Sequence, residues 1–453
     1  MVKVKSPYSY LVDMGDGRVR HVHANKIRKF HVRVQGCNVI SDGASDFGHV
    51  LVPENVCNIA LPSTVVDRSK LVDHLSNDQQ CQLLQLLDRY AGCFSDKPGL
   101  CSVTEHRIDI TADFVPKRMR PYRIPEILKP EVEGQIKELL DTRMIVRSNS
   151  PMASPLVCVA KKQGGIRLAC DYRYINSFTV ADVFPLCTVD EVVRKVGQGK
   201  YISVFDANSR YWQFLVRPKD RWLTAFVTHE GLYEWVRTPF GLRNAGAPFV
   251  RAVTGILQPL QNFAGSYVDD MAVGSSDWPV HLGHVDQFLS TIKGAGLTFS
   301  ISKCEFAKPE VHLLGHIVGS GTKRADPQRL SGIAEMPRST TKKEVRRLLG
   351  ALGYYREYVP QFAQMAKPLT DLTHKNSPNT VQWGQPHESA FLSLQRSLCS
   401  PSVLAIPYVG EPFVLHTDTS GFAVAAALGQ LDKKGVGRPI AFASQKLSGS
   451  QLG

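Results

Sequence analysis

Ala264-Gly265-Ser266-Tyr267-Val268-Asp269-Asp270-Met271-Ala272-Val273 is the stretch on which the reading of this chain turns. Ala264 to Val268 reads as an apolar strand ending at Asp269-Asp270, and Met271-Ala272-Val273 as its return. Adjacent aspartates in a tight hairpin between apolar strands resist a packing explanation. Like charges side by side repel, so something cationic should lie near. A second run, Tyr201 to Phe205, is an apolar strand ending at Asp206. Alone, Asp206 reads first as a strand-end turn residue. Together the three carboxylates suit nucleotidyl transfer, which uses two divalent cations about 3.5–4 Å apart, one activating the attacking hydroxyl and one holding the triphosphate. Magnesium favours carboxylate and phosphate oxygens, so aspartates on rigid strands at one end of a sheet are what that chemistry needs.

Working outward, Ser150-Pro151-Met152-Ala153-Ser154-Pro155 cannot be helical throughout, because proline restricts itself and its predecessor. Leu156 to Lys162 then reads as a strand that turns at Gln163-Gly164-Gly165 and returns from Ile166 to Tyr172. Lys161, Lys162 and Arg167 near its tip make a phosphate-contacting finger. Further upstream, Ser76 and Gln79 form a capping box ahead of Leu83, Leu84, Leu86, Leu87 and Tyr90. Val132, Ile136, Leu139 and Leu140 mark a second amphipathic helix. Cys37 to Ser63 reads as linker. At the start, Tyr8 to Met14 and Arg18 to His23 flank Gly15-Asp16-Gly17, a hairpin signal. Arg18, Arg20, Lys26, Arg28 and Lys29 make that module basic, as a solvated edge or a nucleic-acid contact would be. Downstream of Gly315 come helical segments with Lys342, Lys343, Arg346 and Arg347. Phe413-Val414-Leu415-His416-Thr417-Asp418 opens a new strand-rich unit.

The 453 residues allow several domains, and a 43% hydrophobic content is ordinary for a chain with true cores. A formal net charge of +13 favours a polyanionic partner, nucleic acid before an anionic membrane. The ten cysteines contain no Cys-x-x-Cys pair and no zinc-finger spacing with histidine. They read as reduced thiols of an intracellular protein. Met1 to Tyr10 lack the apolar core of a signal peptide. No run approaches the ~18 apolar residues of a membrane span.

From about His106 to Gly453 the sequence resembles the reverse transcriptases of gypsy-type long-terminal-repeat retrotransposons and retroviruses. The motifs come in that family's order. They are Ser150 to Pro155; Arg167 to Asn176 with Asp171-Tyr172-Arg173; and Phe205-Asp206 through Tyr211-Trp212-Gln213. Thr238-Pro239-Phe240-Gly241-Leu242 with Asn244-Ala245 follows, then the signature Tyr267-Val268-Asp269-Asp270. Lys303-Cys304-Glu305-Phe306 and Leu314-Gly315-His316 match its primer-grip region. Phe413 to Gln430 looks like the first strands of the family's RNase H domain. Pro7 to His31 looks like the C-terminal SH3-like module of a gypsy-type integrase. Two residues depart from the pattern. Arg210 stands where glycine is usual, and Gly246 where proline is.

The resemblance implies an α+β fold: a right-hand polymerase with fingers, palm and thumb, followed by the start of an RNase H-like domain. The expected divisions are an integrase remnant over 1–34, a linker with one amphipathic helix over 35–99, fingers and palm over 100–319, thumb and connection over 320–410, and a truncated RNase H-like unit over 411–453. Asp206, Asp269 and Asp270 should bind two Mg2+ ions, with Mn2+ an alternative. Lys161, Lys162 and Arg167 should contact the triphosphate. Tyr211 should lie under the sugar, Phe240 should line the nucleotide pocket, and Tyr267 should border it. Leu314, Gly315 and His316 should grip the primer. Asp418 is a single RNase H-like carboxylate, so no RNase H activity is expected of it. The implied partners are an RNA or DNA template, a primer, dNTPs and the other Gag and Pol products of such an element, without a membrane. The implied location is a cytoplasmic virus-like particle or the nucleus. The competing expectation is a decayed or domesticated nucleic-acid-binding fragment.

Overall fold

The computed structural model describes strands at residues 2–6, 9–13, 19–23 and 39–40. It also describes residues 68–447, apart from 96, 161–164, 186, 208–209, 400–402 and 433. The first three strands, Val2–Ser6, Ser9–Asp13 and Val19–His23, form an antiparallel meander. Asp13 pairs with Val19 across the expected hairpin. The Gly15-Asp16-Gly17 turn, Arg18, Lys26, Arg28 and Lys29 lie outside the described residues. The linker reading of Cys37 to Ser63 needs one correction: Val39–Ile40 is a short strand that pairs in parallel with Cys158 and Val159.

Both helices read from periodicity are present. In Asn77–Arg89 the Ser76 hydroxyl and the Gln79 side chain cap each other's backbone N–H groups, and Leu83, Leu86 and Leu87 are buried. Lys129–Asp141 buries Val132, Ile136 and Leu139. The fingers hairpin pairs Ser154–Ala160 with Ile166–Cys170. Its tip, with Lys161 and Lys162, lies outside the described residues.

The palm is a four-stranded antiparallel sheet in the spatial order Ala264–Tyr267, Asp270–Ser275, Tyr201–Asp206, Glu305–Lys308. Successive side chains on a strand face opposite ways, and both faces here are apolar. Phe205, Met271 and Val273 point into the main core with Phe288 and Phe299. Ile202, Val204 and Ala272 point into a second core with Val192, Val193 and Val196 of the helix Val189–Val196. That helix lies so close that a Cβ on Gly274 would sit 2.4 Å from the Val196 carbonyl oxygen, so only glycine fits there. A second sheet, Glu310–Leu313, His316–Gly319, Thr322–Ala325 and Leu404–Ala405, follows.

The helical region that follows has its own core, in which Leu348 and Leu352 of the helix Lys342–Tyr354 meet Leu369, Phe391 and Leu394. The basic run on that helix is not uniformly a solvated face. Lys342 is 7% exposed, and its ammonium donates to the carbonyls of His374 and Lys375 at 2.6 and 3.4 Å. Lys343 and Arg347 remain exposed. Three antiparallel strands, Val414–Thr419, Ala423–Leu431 and Gly437–Lys446, complete the α+β fold. Among the described residues, no helix is long and apolar enough to cross a membrane.

Among the described residues three histidines are buried: His106, His281 and His316, at 1%, 0% and 4% exposure. Burial pushes each imidazole down to about 4. The unfolded chain, titrating near ~6.5, therefore binds more protons between pH 6.5 and 4 than the folded one. The stability these neutral rings contribute is full above pH 6.5 and is lost as pH falls toward 4, by up to ~1.4 kcal/mol per pH unit for each ring. The urea midpoint is expected to fall steadily from pH 6.5 to 5, with a shallower fall in His281→Gln. An equal slope in that variant would contradict neutral burial of His281.

Candidate active site

The tightest element is the hairpin Ala264–Tyr267 to Asp270–Ser275. Tyr267 pairs with Asp270, so Val268 and Asp269 alone make the turn. Val268 has φ +54°, the left-handed region a β-branched residue rarely adopts. Positive φ at the first central residue is the pattern of a type II′ turn, where glycine is the usual occupant. Strain of this kind persists where surrounding structure over-determines it. Here two buried strand faces fix the register on both sides of the turn.

The neighbouring strand then sets the constellation. Asp270 pairs directly opposite Asp206, in register down to Ser275 opposite Tyr201. The Asp269 carbonyl accepts the Ala207 N–H at 3.3 Å. All three aspartates therefore gather at one end of the central strand pair. Among the described residues, a cation that answers their repulsion is Lys303, whose ammonium lies 3.4 Å from Asp206 Oδ1. Lys303 was read with the primer-grip motif and not as an active-site residue. It arrives because Glu305–Lys308 pairs with the Asp206 strand, and because Ser300 N–H donates to the Asp206 carbonyl at 3.2 Å. Behind it, Cys304 is buried, which pushes its thiol up to about 12.

A buried polar chain underpins this edge. Ser203 Oγ accepts the Ala307 N–H at 2.9 Å and sits 2.9 Å from His281 Nε2. His281 Nδ1 is 3.0 Å from Ser275 Oγ. Ala307, at φ +48°, lies where the pairing of Glu305–Lys308 to the Asp206 strand shifts register. Ser203 thus satisfies the backbone of the irregularity that follows Lys303.

The nucleotide-pocket candidates converge as well. Gln213 is fully buried, and its amide donates to Thr298 O and accepts from Thr298 N at 2.9 and 2.8 Å, anchoring the Tyr211 segment. Thr238 N–H donates to Phe214 O at 2.8 Å, which carries Phe240 alongside. The Tyr211 and Phe240 ring centres are 5.2 Å apart. Asn244 donates to Val180 O at 2.6 Å and accepts from Asp182 N at 3.1 Å, stapling the same segment to the loop before the palm. Arg167 pairs with Val159 in the fingers hairpin. Its Nε is buried without a hydrogen-bond partner among the described residues. The Arg210 side chain lies outside the described residues.

Leu314 and Gly315, at φ +54° and +83°, form a two-residue turn between Leu313 and His316. Positive φ at both positions is the type I′ pattern. Tyr354 and Tyr355 of the thumb donate to the carbonyls of Leu314 and Gly315 at 2.6 and 3.1 Å. His316 is 2.8 Å from Tyr358 Oη and buried; Gly315 is buried as well, and of the motif Leu314 alone is partly exposed. Asp418 stands apart on the Val414–Thr419 strand, exposed, with Gln361 Nε2 donating to it at 3.3 Å.

Fingers, a palm sheet with carboxylates at one edge, and a separate thumb define a right-hand polymerase fold. Comparison with known proteins narrows the class. Residues 159–318 match the family described as reverse transcriptase (RNA-dependent DNA polymerase), and residues 383–452 match the RNase H-like domain found in reverse transcriptase. The retrovirus-related Pol polyprotein from transposon opus of Drosophila melanogaster is 35% identical over 73% of this chain and 34% of its own length. The corresponding polyprotein from transposon gypsy is 32% identical over 74% of the chain and 34% of its own length. The enzymatic polyprotein of cauliflower mosaic virus (strain Strasbourg) is 32% identical over 67% of the chain and 45% of its length. The chain thus spans about a third of the Drosophila relatives. The solved foamy viral protease-reverse transcriptase in complex with dsDNA has a TM-score of 0.79 at 24% identity, over 88% of this chain and 84% of that one. The chain carries a reverse transcriptase domain followed by the RNase H-like domain of reverse transcriptases, and it is related to gypsy-type Pol polyproteins.

Proposed function

We propose that the chain is an RNA-directed DNA polymerase that extends a primer with dNTPs. The observation that carries this is the pairing of Asp206 with Asp270, Asp269 in the adjoining turn, at the edge of a reverse transcriptase palm. Three carboxylates converging beside the Lys303 ammonium fit a pair of divalent ions, Mg2+ first and Mn2+ second. When bound, such ions activate the primer hydroxyl and stabilise charge on the transferred phosphoryl group. Asp206, Asp269 and Asp270 would hold them. Lys303, 3.4 Å from Asp206, balances part of the carboxylates' charge. Arg167, with Lys161 or Lys162, steadies the triphosphate, Tyr211 and Phe240 flank the sugar and base with Tyr267 alongside, and the Leu314-Gly315 turn bears on the primer.

The net positive charge and exposed Lys343 and Arg347 support template-primer binding through phosphates. The remaining parts of the reading are an integrase C-terminal SH3-like remnant over 1–34, a linker with an amphipathic helix over 35–99, fingers and palm over 100–319, thumb and connection over 320–410, and a truncated RNase H-like unit over 411–453. Assembly with other Gag and Pol products, in a cytoplasmic particle or the nucleus, belongs to the same reading. Primer extension on RNA and DNA templates by the purified chain tests it. Magnesium-dependent extension on RNA is expected. Duplex binding without extension would instead assign the chain to a decayed nucleic-acid-binding fragment.

A further inference from the structure

The base of the fingers gathers three side chains that the polymerase reading does not use. His229 and Glu230 lie in the turn between strands Phe226–Val227 and Leu232–Trp235, and Glu133 lies on the helix Lys129–Asp141. One ligand atom from each lies within 4.8 Å of the other two. His229 Nε2 and Glu133 Oε1 are 3.0 Å apart. The donors come from two elements far apart in sequence, and both elements are braced.

Thr228 is 4% exposed. Its N–H donates to Gly231 O at 2.9 Å, and its hydroxyl accepts from Glu230 N and Gly231 N at 3.1 and 3.3 Å. On the helix, Glu131 accepts the Ile166 N–H at 2.8 Å and Gln135 donates to Ile166 O at 3.1 Å. The turn and the helix therefore present their donors from fixed positions.

The charge balance calls for a cation. Two carboxylates beside one imidazole repel each other. Lys129, on the first turn of the same helix, is engaged by Glu126 at 2.6 Å. Among the described residues no ion pair reaches the Glu230 carboxylate. The donor types narrow the choice of ion. Magnesium and calcium favour all-oxygen shells, whereas zinc takes histidine nitrogen and carboxylate oxygen at about 2.0–2.2 Å. Small side-chain rotations would close the present spacing to that range, and the solvent-facing side leaves a fourth position for water.

We propose that Glu133, His229 and Glu230 form a binding site for a zinc-like divalent cation, separate from the aspartate site, that clasps the fingers helix to the turn at residues 228–231. The same helix holds both backbone groups of Ile166. Ile166 precedes Arg167, so the ion stiffens the strand that presents that guanidinium. The site stands on its own geometry and does not depend on the chain being a polymerase.

The test is calorimetric titration of zinc chloride into the full chain, with a thermal melt, for wild type, His229→Ala and Glu230→Gln. All three positions are exposed, so these variants should fold. Wild type is expected to show a site that is lost or at least ~10-fold weaker in both variants, by analogy with the loss seen even for residues that only orient metal ligands. A zinc-induced rise in melting temperature should disappear with it. Equal stoichiometry and equal thermal response in His229→Ala would overturn the site and assign zinc to the aspartates or thiols. Absence of zinc binding in wild type would overturn it as well. Because no step of the measurement is polymerisation, an inactive polymerase would leave the result intact.

Discussion

Asp269→Asn is expected to lower magnesium-dependent primer extension by about a thousandfold while leaving duplex affinity nearly unchanged. The magnitude follows from what a bound ion contributes. Lewis-acid stabilisation of a transferring phosphoryl group is worth several kcal/mol, and each ~1.4 kcal/mol is tenfold in rate. The structure says why the fold should survive. The turn is set by the pairing of Tyr267 with Asp270 and by the Asp269 carbonyl accepting Ala207 N–H, neither of which needs the carboxylate. Asparagine also has nearly the same shape. Duplex affinity comes from phosphate contacts elsewhere, so a binding assay supplies the control. Extension at the wild-type rate would show that Asp269 holds no ion. Loss of duplex binding together with extension would point to a damaged fold.

What the sequence revealed depended on how far apart the partners lie. The capping box of Ser76 and Gln79 is a three-residue interaction, and it could be read directly. So could the strand–turn–strand around Asp269, because apolar runs and the aspartate pair are local. The pairing of Asp206 with Asp270 spans more than sixty residues. Both faces of these strands are buried, so alternation gives no register, and the chemistry of a shared metal site and the resemblance had to bring them together.

Lys303 shows the opposite case. Repulsion between neighbouring aspartates called for a cation, but nothing local says that the strand after Lys303 joins the palm edge. In the sequence Lys342 is one of a run of basic residues on a helix, with nothing local to set it apart. Its long side chain instead reaches the carbonyls of His374 and Lys375. His316 likewise reads from its motif as primer-contacting, yet stacking with Tyr354 and Tyr358 buries its ring.

Tyr211→Ala is expected to raise the use of ribonucleotides relative to deoxyribonucleotides by at least ~10-fold, the scale on which a pocket discriminates a single small group. Tyr211 follows Asp206 by five residues and leaves the palm strand on a single helical turn, Arg210–Gln213. Its ring lies against Phe240 at 5.2 Å and edge-on to Phe249 at 6.2 Å. A Cβ on Gly246 would be 3.6 Å from its hydroxyl, ordinary contact, so the glycine leaves the ring undisplaced. A ring held from these sides cannot retreat from an added 2′-oxygen, and rigidity of this kind is what steric exclusion requires.

The same contacts make Tyr211 a core residue at 9% exposure. Truncation should therefore also destabilise, by ~3–5 kcal/mol on the scale of large buried rings. Tyr211→Phe separates the two roles. It keeps the ring and removes only the hydroxyl, so sugar discrimination and melting temperature should both stay close to wild type. The measurement is the ratio of kcat/KM for the two sugars in all three proteins beside a thermal melt. If Tyr211→Ala melts lower but discriminates as the wild type does, the ring is packing alone and the sugar is excluded by something else.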